Sequence, residues 1–94
     1  MPIRFEWDPE KAAQNIVKHG VSFAEAEGVF ADALALELAD PDHSEVEERW
    51  IIIGRSYRER LLVVVFTERE ESVRIISARS ATRGETRHYE EQEE

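Results

Sequence analysis

Cysteine is absent from this chain of 94 residues. That excludes a disulfide framework and thiolate metal sites, and in so short a chain it points to a reducing compartment, so the expected location is cytoplasmic. Long hydrophobic runs are missing too. The longest, Leu61 to Phe66, is far too short to cross a bilayer, and Met1 to Asp8 lacks a charged lead followed by an apolar stretch. Neither secretion nor membrane insertion is expected. Glycine-rich phosphate loops, serine-nucleophile elbows and H-E-x-x-H are also lacking, which removes the usual signals of nucleotide binding, acyl transfer and zinc proteolysis.

Basic excess is lacking as well. The net charge is −9, which taken whole argues against a nucleic-acid partner. The distribution changes that reading. Residues 21 to 48 hold nine acids and no Lys or Arg, residues 49 to 69 hold five arginines against two acids, and residues 90 to 94 hold four acids. A basic strip can survive between the acidic blocks if folding sets those blocks on other faces.

What is present fits one domain spanning residues 1–94, because a core divided between two halves would be too thin to offset chain entropy. Hydrophobic residues make up 41% and charged residues 35%, enough for a core and a strongly solvated surface. Phe5 to Trp7 reads as a short strand. Asp8-Pro9 then opens a helix, with Ala12, Ala13, Ile16 and Val17 expected as its apolar face, Lys18 and His19 in the last turn and Gly20 as a left-handed cap. Ser22 to Glu25 has the S-x-x-E capping form, and a second helix carries Phe23, Ala26, Val29 and Phe30. Leu34 to Ala39, Arg49 to Ser56, Leu61 to Thr67 and Val73 to Ala78 read as strands, with Leu61 to Phe66 expected at the sheet centre. Thr82 to Glu85 repeats the cap signature before a closing helix. The expected fold is α+β: two N-terminal helices packed on a four- to five-stranded, mainly antiparallel curved sheet, in the order β-α-α-β-β-β-β-α.

Two constellations could carry chemistry. Arg74, Arg79, Arg83 and Arg87 form the first, since Arg83 and Arg87 lie one turn apart on a helix and Arg79 sits where the last strand gives way to it. Guanidiniums gathered near a helix N-terminus suit phosphate; the competing reading pairs them with Glu85, Glu90 and Glu91 as a solvated salt-bridge face. His19 and His88 form the second, histidine being the side chain that exchanges protons near neutral pH. Lys18 beside His19 adds a cation. Glu47, Glu48 and Arg49 lead into a strand, and a carboxylate there could act as a base. Asp40, Asp42 and His43 resemble metal ligands, but a turn about Pro41 explains them better, so no metal or cofactor is expected. Trp7 and Trp50 read as packing residues.

Taken together, Phe5-Glu6-Trp7-Asp8-Pro9-Glu10-Lys11-Ala12, Asn15, Lys18-His19-Gly20-Val21-Ser22-Phe23, Ala26 and Val29-Phe30 resemble the opening of the BrnT family of bacterial toxins. The resemblance continues through His43-Ser44, Glu47-Glu48-Arg49, Ile53-Gly54, Leu61-Leu62-Val63-Val64, Arg74-Ile75-Ile76-Ser77-Ala78-Arg79, Glu85, Arg87 and Tyr89. It implies a RelE-like fold and the toxin of a type II toxin-antitoxin pair, a metal-independent ribonuclease that restrains translation. The implied partners are an RNA substrate and a ribbon-helix-helix antitoxin of the BrnA kind, with DNA met only through that antitoxin. The residues it favours for catalysis are Arg79, Arg83, His19, Lys18 and Glu48, with Arg74, Arg87 and Tyr89 toward RNA. The rival expectation is a non-catalytic module of the same fold, using the acidic stretch from Val21 to Glu48 as a binding face for a basic protein. A third, a metal-dependent hydrolase on Asp40, Asp42 and His43, predicts activity lost on chelation.

Overall fold

The structure is a computed structural model, and it describes residues 3–41 and 48–92. Strand β1 (Arg4–Glu6) leads to helix α1 (Pro9–His19), helix α2 (Phe23–Glu27) and a 3-10 turn (Gly28–Ala31). Four strands follow, β2 (Leu36–Ala39), β3 (Trp50–Arg55), β4 (Leu61–Arg69) and β5 (Ser72–Ser80), and helix α3 (Arg83–Glu91) closes the chain. The sheet order is β1-β5-β4-β3-β2. Neighbours are antiparallel except β1, which runs parallel to β5. The apolar run Leu61 to Phe66 thus lies on the central strand, as its continuous hydrophobicity requires.

Local chemistry sets the helix ends. The Asp8 carboxylate accepts from the Glu10 N–H at 2.8 Å, with Pro9 at the first helical position where no donor is needed. Gly20 ends α1 at φ 69°, the left-handed conformation that costs a glycine nothing. Ser22 caps α2 by accepting from the Glu25 N–H at 3.0 Å. The Glu25 side chain does not return to the cap; it goes to Arg60 and Ser56 instead. The Thr82–Glu85 box of α3 is complete in both directions.

The two sheet faces are covered differently. Ile52, Leu62, Val64, Phe66, Ile75 and Ala78 meet Val21, Phe23, Ala26 and Val29 in the main core. Phe30 lies edge-on to Phe66, and Trp7 to Phe23, with ring centroids 5.0 and 5.9 Å apart; Trp7 and Trp50 pack against this core. On the other face Ile53 and Val63 pack against Tyr89 of α3.

Two sequence expectations change. The apolar face foreseen for α1 is not what that helix buries: Ile16 is 51% and Val17 89% exposed, and the buried residue is Asn15. The cause lies in the sheet. Because β1 covers only Ser72 to Arg74 of β5, the rest of that strand needs another hydrogen-bonding partner. Asn15 supplies it, donating from Nδ2 to the Ala78 carbonyl at 2.8 Å and accepting from the Ala78 N–H at 3.2 Å. Strand β2 starts two residues later than foreseen. The Asp32 carboxylate accepts from the Leu34 N–H and the Asp32 carbonyl from the Ala35 N–H, folding that stretch into a turn.

Candidate functional site on the last strand

Arg74 and Arg79 are five residues apart, an odd spacing that puts side chains on opposite faces of a regular strand. The pairing of β4 with β5 is not regular. Val65 lies opposite Ser77 while Phe66 lies opposite Ile75, so Ile76 is an extra residue on β5, a bulge. Its effect is to carry Ile75 and Ala78 together into the main core. Arg74, Ser77 and Arg79 are carried together to the other face, opposite Thr67, Val65 and Val63.

That face is bordered by α1. A shallow groove of about 220 Å³ is lined by Lys11, Gln14, Asn15, Lys18 and His19 from α1 and by Ile76 and Ser77 from β5. Ser77 therefore belongs both to the arginine-bearing face and to the groove that Lys18 and His19 line. Of the described acids in the acidic stretch, Glu37 lies on β2, at the far edge of the sheet from β1 and β5. Glu25 of the same stretch is buried, held by Ser56 and Arg60.

The arginines are not equivalent. Arg79 presents Nη1 and Nη2 to the two carboxylate oxygens of Glu85 at 2.8 and 2.9 Å, and Nη1 also donates to the Ser80 carbonyl at 3.2 Å. The Arg79 hydrogen bonds hold the Glu85 carboxyl at about 2, and the same bonds raise the Arg79 guanidinium further above its ordinary value. Arg74 donates to Glu6 at 3.4 Å, and Ser72 donates to the same carboxylate at 2.9 Å. Arg83 and Arg87 are exposed and form no ion pair among the described residues, so the foreseen pairing with Glu90 and Glu91 does not occur there.

Tyr89 packs on Val63, the cross-strand neighbour of Arg79, but beneath the surface. It is 1% exposed and its hydroxyl donates to Asp32 Oδ2 at 2.7 Å, which makes it the anchor of α3 and places it away from any surface that RNA could reach. Arg87, two residues earlier on the helix, projects to the opposite side. The Asp32 carboxylate also receives the Arg55 and Leu34 N–H groups. Burial works against its ionisation, but these hydrogen bonds outweigh it and its pKa falls below the ordinary value. Glu48 is exposed just ahead of β3, and His88 is exposed on α3. Asp42, His43 and Glu47 lie outside the described residues; among the described residues no group of three His, Cys, Asp or Glu side chains could hold a metal. No described helix is long and apolar enough to cross a membrane.

Sequence reasoning on spacing missed Ser77, Lys11 and Gln14 at the groove. It also missed Asn15 as the residue fixing α1 to β5. The available signal was Asn15 standing three residues after Ala12, a polar side chain on the buried stripe of a helix.

A mixed, mainly antiparallel five-stranded sheet flanked by N-terminal helices and a closing helix, with arginines on its bulged last strand, defines a small α+β domain. The family described as ribonuclease toxin, BrnT, of type II toxin-antitoxin system matches residues 7–85. The chain belongs to this family, and is a ribonuclease toxin of a type II toxin-antitoxin system. Its fold is similar to the 1.1 Å crystal structure of the Brucella abortus ribonuclease toxin BrnT, with a TM-score of 0.63 and 26% identity over 87% of this chain and 100% of that one. No curated protein sequence matches. Arg87 and Tyr89 fall beyond the matched segment, whereas Lys18, His19, Arg74, Arg79 and Glu85 fall within it.

Proposed function

We propose that this toxin cuts RNA without a metal ion, thereby restraining translation, and that a ribbon-helix-helix antitoxin of the BrnA kind silences it and carries it to DNA. The observation that carries the catalytic part is the bulge at Ile76, which sets Arg74, Ser77 and Arg79 on one face beside the groove lined by Lys18 and His19.

Metal-free cleavage needs three things, of which side chains supply the first two and the conjugate acid of the base or a solvent water supplies the third. A base takes the proton of the ribose 2′-hydroxyl, and the oxygen attacks the adjacent phosphorus. A cation steadies the charge that grows on the phosphoryl oxygens. An acid protonates the departing 5′-oxygen as the P–O5′ bond breaks. The products are a 2′,3′-cyclic phosphate and a 5′-hydroxyl. His19 is the base in this reading, because Glu48, ahead of β3, lies two strands away and toward the other end of the sheet from Arg79. Arg79 steadies the charge, assisted by Arg83; Lys18 and Arg74 hold neighbouring phosphates, and Arg87 extends the cationic surface along α3. Tyr89 has no part in it, being buried.

The test is cleavage of a short single-stranded RNA by protein freed of any antitoxin, in EDTA. Persistence of cleavage with a cyclic-phosphate end supports the reading, and loss of activity on chelation contradicts it. A ribbon-helix-helix protein should be encoded beside the toxin gene, and co-expression with it should relieve growth arrest; no such neighbour, or no relief, contradicts the antitoxin assignment.

A further inference from the structure

Glu85 could affect Arg79 in either of two ways. A carboxylate paired with a guanidinium cancels its charge, which would make Glu85 an inhibitor of phosphate binding. A carboxylate can also fix which edge of the guanidinium remains available. The hydrogen bonds decide between these. Nη1 is fully used, one hydrogen on Glu85 Oε1 and the other on the Ser80 carbonyl, and Nη2 gives one hydrogen to Glu85 Oε2. The end of the fork is thus closed. Nε and the second hydrogen of Nη2, which lie side by side, make no hydrogen bond to any described residue. That side edge is the pair of parallel donors that matches two phosphate oxygens.

Glu85 is itself immobilised. Its Oε1 accepts from the Thr82 N–H at 2.8 Å while its own N–H donates to the Thr82 hydroxyl at 3.2 Å, so the carboxylate belongs to the first turn of α3. The helix is fixed in turn through Tyr89 on Asp32. The ring of Tyr89, packed on Ile53 and Val63, seats that helix beside the end of β5, and the Thr82 cap then turns the carboxylate toward Arg79. Both carboxylate oxygens are turned to Arg79 and the helix cap, with Oε1 accepting two hydrogen bonds and Oε2 one, so neither is directed at a ribose hydroxyl.

We infer that Glu85 is a positioning residue for RNA cleavage: it closes the end of the Arg79 fork and presents the Nε–Nη2 edge to the phosphate undergoing reaction. The inference rests on the reading of Arg79 given above. A guanidinium held this way loses no orientational freedom when charge develops, so the effect belongs to the chemical step more than to RNA affinity.

The experiment measures kcat and KM for the wild type, Glu85→Gln, Arg79→Ala and the double variant, with the unfolding midpoint of each. Glu85→Gln keeps a cap acceptor and the side-chain size but cannot receive both guanidinium N–H groups as an anion. It should lower kcat about 10- to 100-fold, with KM changed by less than about threefold. In the Arg79→Ala background the same substitution should change kcat less than about twofold, because Glu85 acts through Arg79; a loss through general destabilisation would persist there. Glu85→Asp, shorter by one methylene, should recover part of the rate. A raised kcat or a sharply lowered KM in Glu85→Gln would show that Glu85 masks Arg79 and overturn the inference. So would equal losses in both backgrounds, or no loss in a protein whose Arg79→Ala variant is impaired. An undiminished Arg79→Ala variant would instead remove Arg79 from the reaction, and the reading beneath the inference with it.

Discussion

The side-chain amide of Asn15 meets the backbone of Ala78 as a neighbouring strand would, donating to its carbonyl at 2.8 Å and accepting from its N–H at 3.2 Å. A second hydrogen on the same nitrogen goes to the Val21 carbonyl at 2.8 Å, so one side chain ties together α1, the turn after it and the strand that carries Arg79. Asn15→Ala leaves three buried backbone groups without partners. At about 1 kcal/mol or more for each, the expected destabilisation is about 3 kcal/mol, read from the denaturation midpoint at constant m-value. Asn15→Asp should cost more, since a carboxylate would face two carbonyl oxygens.

Glu25 is the acid of the buried network. Arg60 donates to it through Nε at 2.9 Å and through Nη2, and the Ser56 hydroxyl donates at 2.6 Å. The Arg60 hydrogen bonds, set against burial and helped by Ser56, lower its pKa from the ordinary 4.5. Asp32 is lowered from 3.8, and Glu85 is held at about 2. All three are carboxyls whose folded pKa lies below the unfolded value. Their stabilisation is complete above about pH 4.5 and is lost as pH falls toward 2, because the unfolded chain takes up protons first. Unfolding free energy measured from pH 7 to pH 3 should fall steeply below 4.5, and Glu25→Gln should flatten that fall while lowering stability at pH 7. Arg60→Ala, which leaves Glu25 with Ser56 and the more distant Arg58, should lower stability at neutral pH and flatten the fall in acid.

Tyr89→Phe separates anchoring from catalysis. It removes the hydrogen bond to Asp32 while keeping the ring against Ile53 and Val63, and the expected loss is about 1–2 kcal/mol. Cleavage per folded molecule should match the wild type within about twofold. A selective fall in RNA affinity without loss of stability would mean that the phenol reaches substrate.

Arg74→Ala tests whether the bulged strand carries phosphate. Each phosphate contact removed should reduce the slope of log affinity against log salt by about 0.7 for single-stranded RNA. An unchanged slope would confine Arg74 to its bond with Glu6.

Much of the fold was legible because local signals agreed with the global pattern. Asp8-Pro9, Gly20, Ser22 and Thr82 mark helix ends by chemistry that acts within a few residues, and Leu61 to Phe66 declares a central strand by apolarity alone. The α+β class, the antiparallel strands β2 to β5 and the closing helix follow from those signals. What was not legible depends on partners distant in the chain. Ile16 and Val17 looked like the buried side of α1, but the helix docks through Asn15 on a strand edge 63 residues away. The spacing of Arg74 and Arg79 gives opposite faces until the bulge is counted, and the run of β-branched residues does not mark where an extra residue falls. Glu85 reads equally well as a helix cap or as an arginine partner. It is both, because the cap stands beside the strand end.

The central claim is that Arg79 steadies the phosphate during metal-free cleavage. The most direct measurement is the single-turnover rate for a short single-stranded RNA in EDTA, with wild type and Arg79→Ala compared at matched folded concentration. Loss of one charge-stabilising group predicts a rate lower by about 10²- to 10³-fold. An Arg79→Ala protein that is folded and cuts at the wild-type rate would contradict the account.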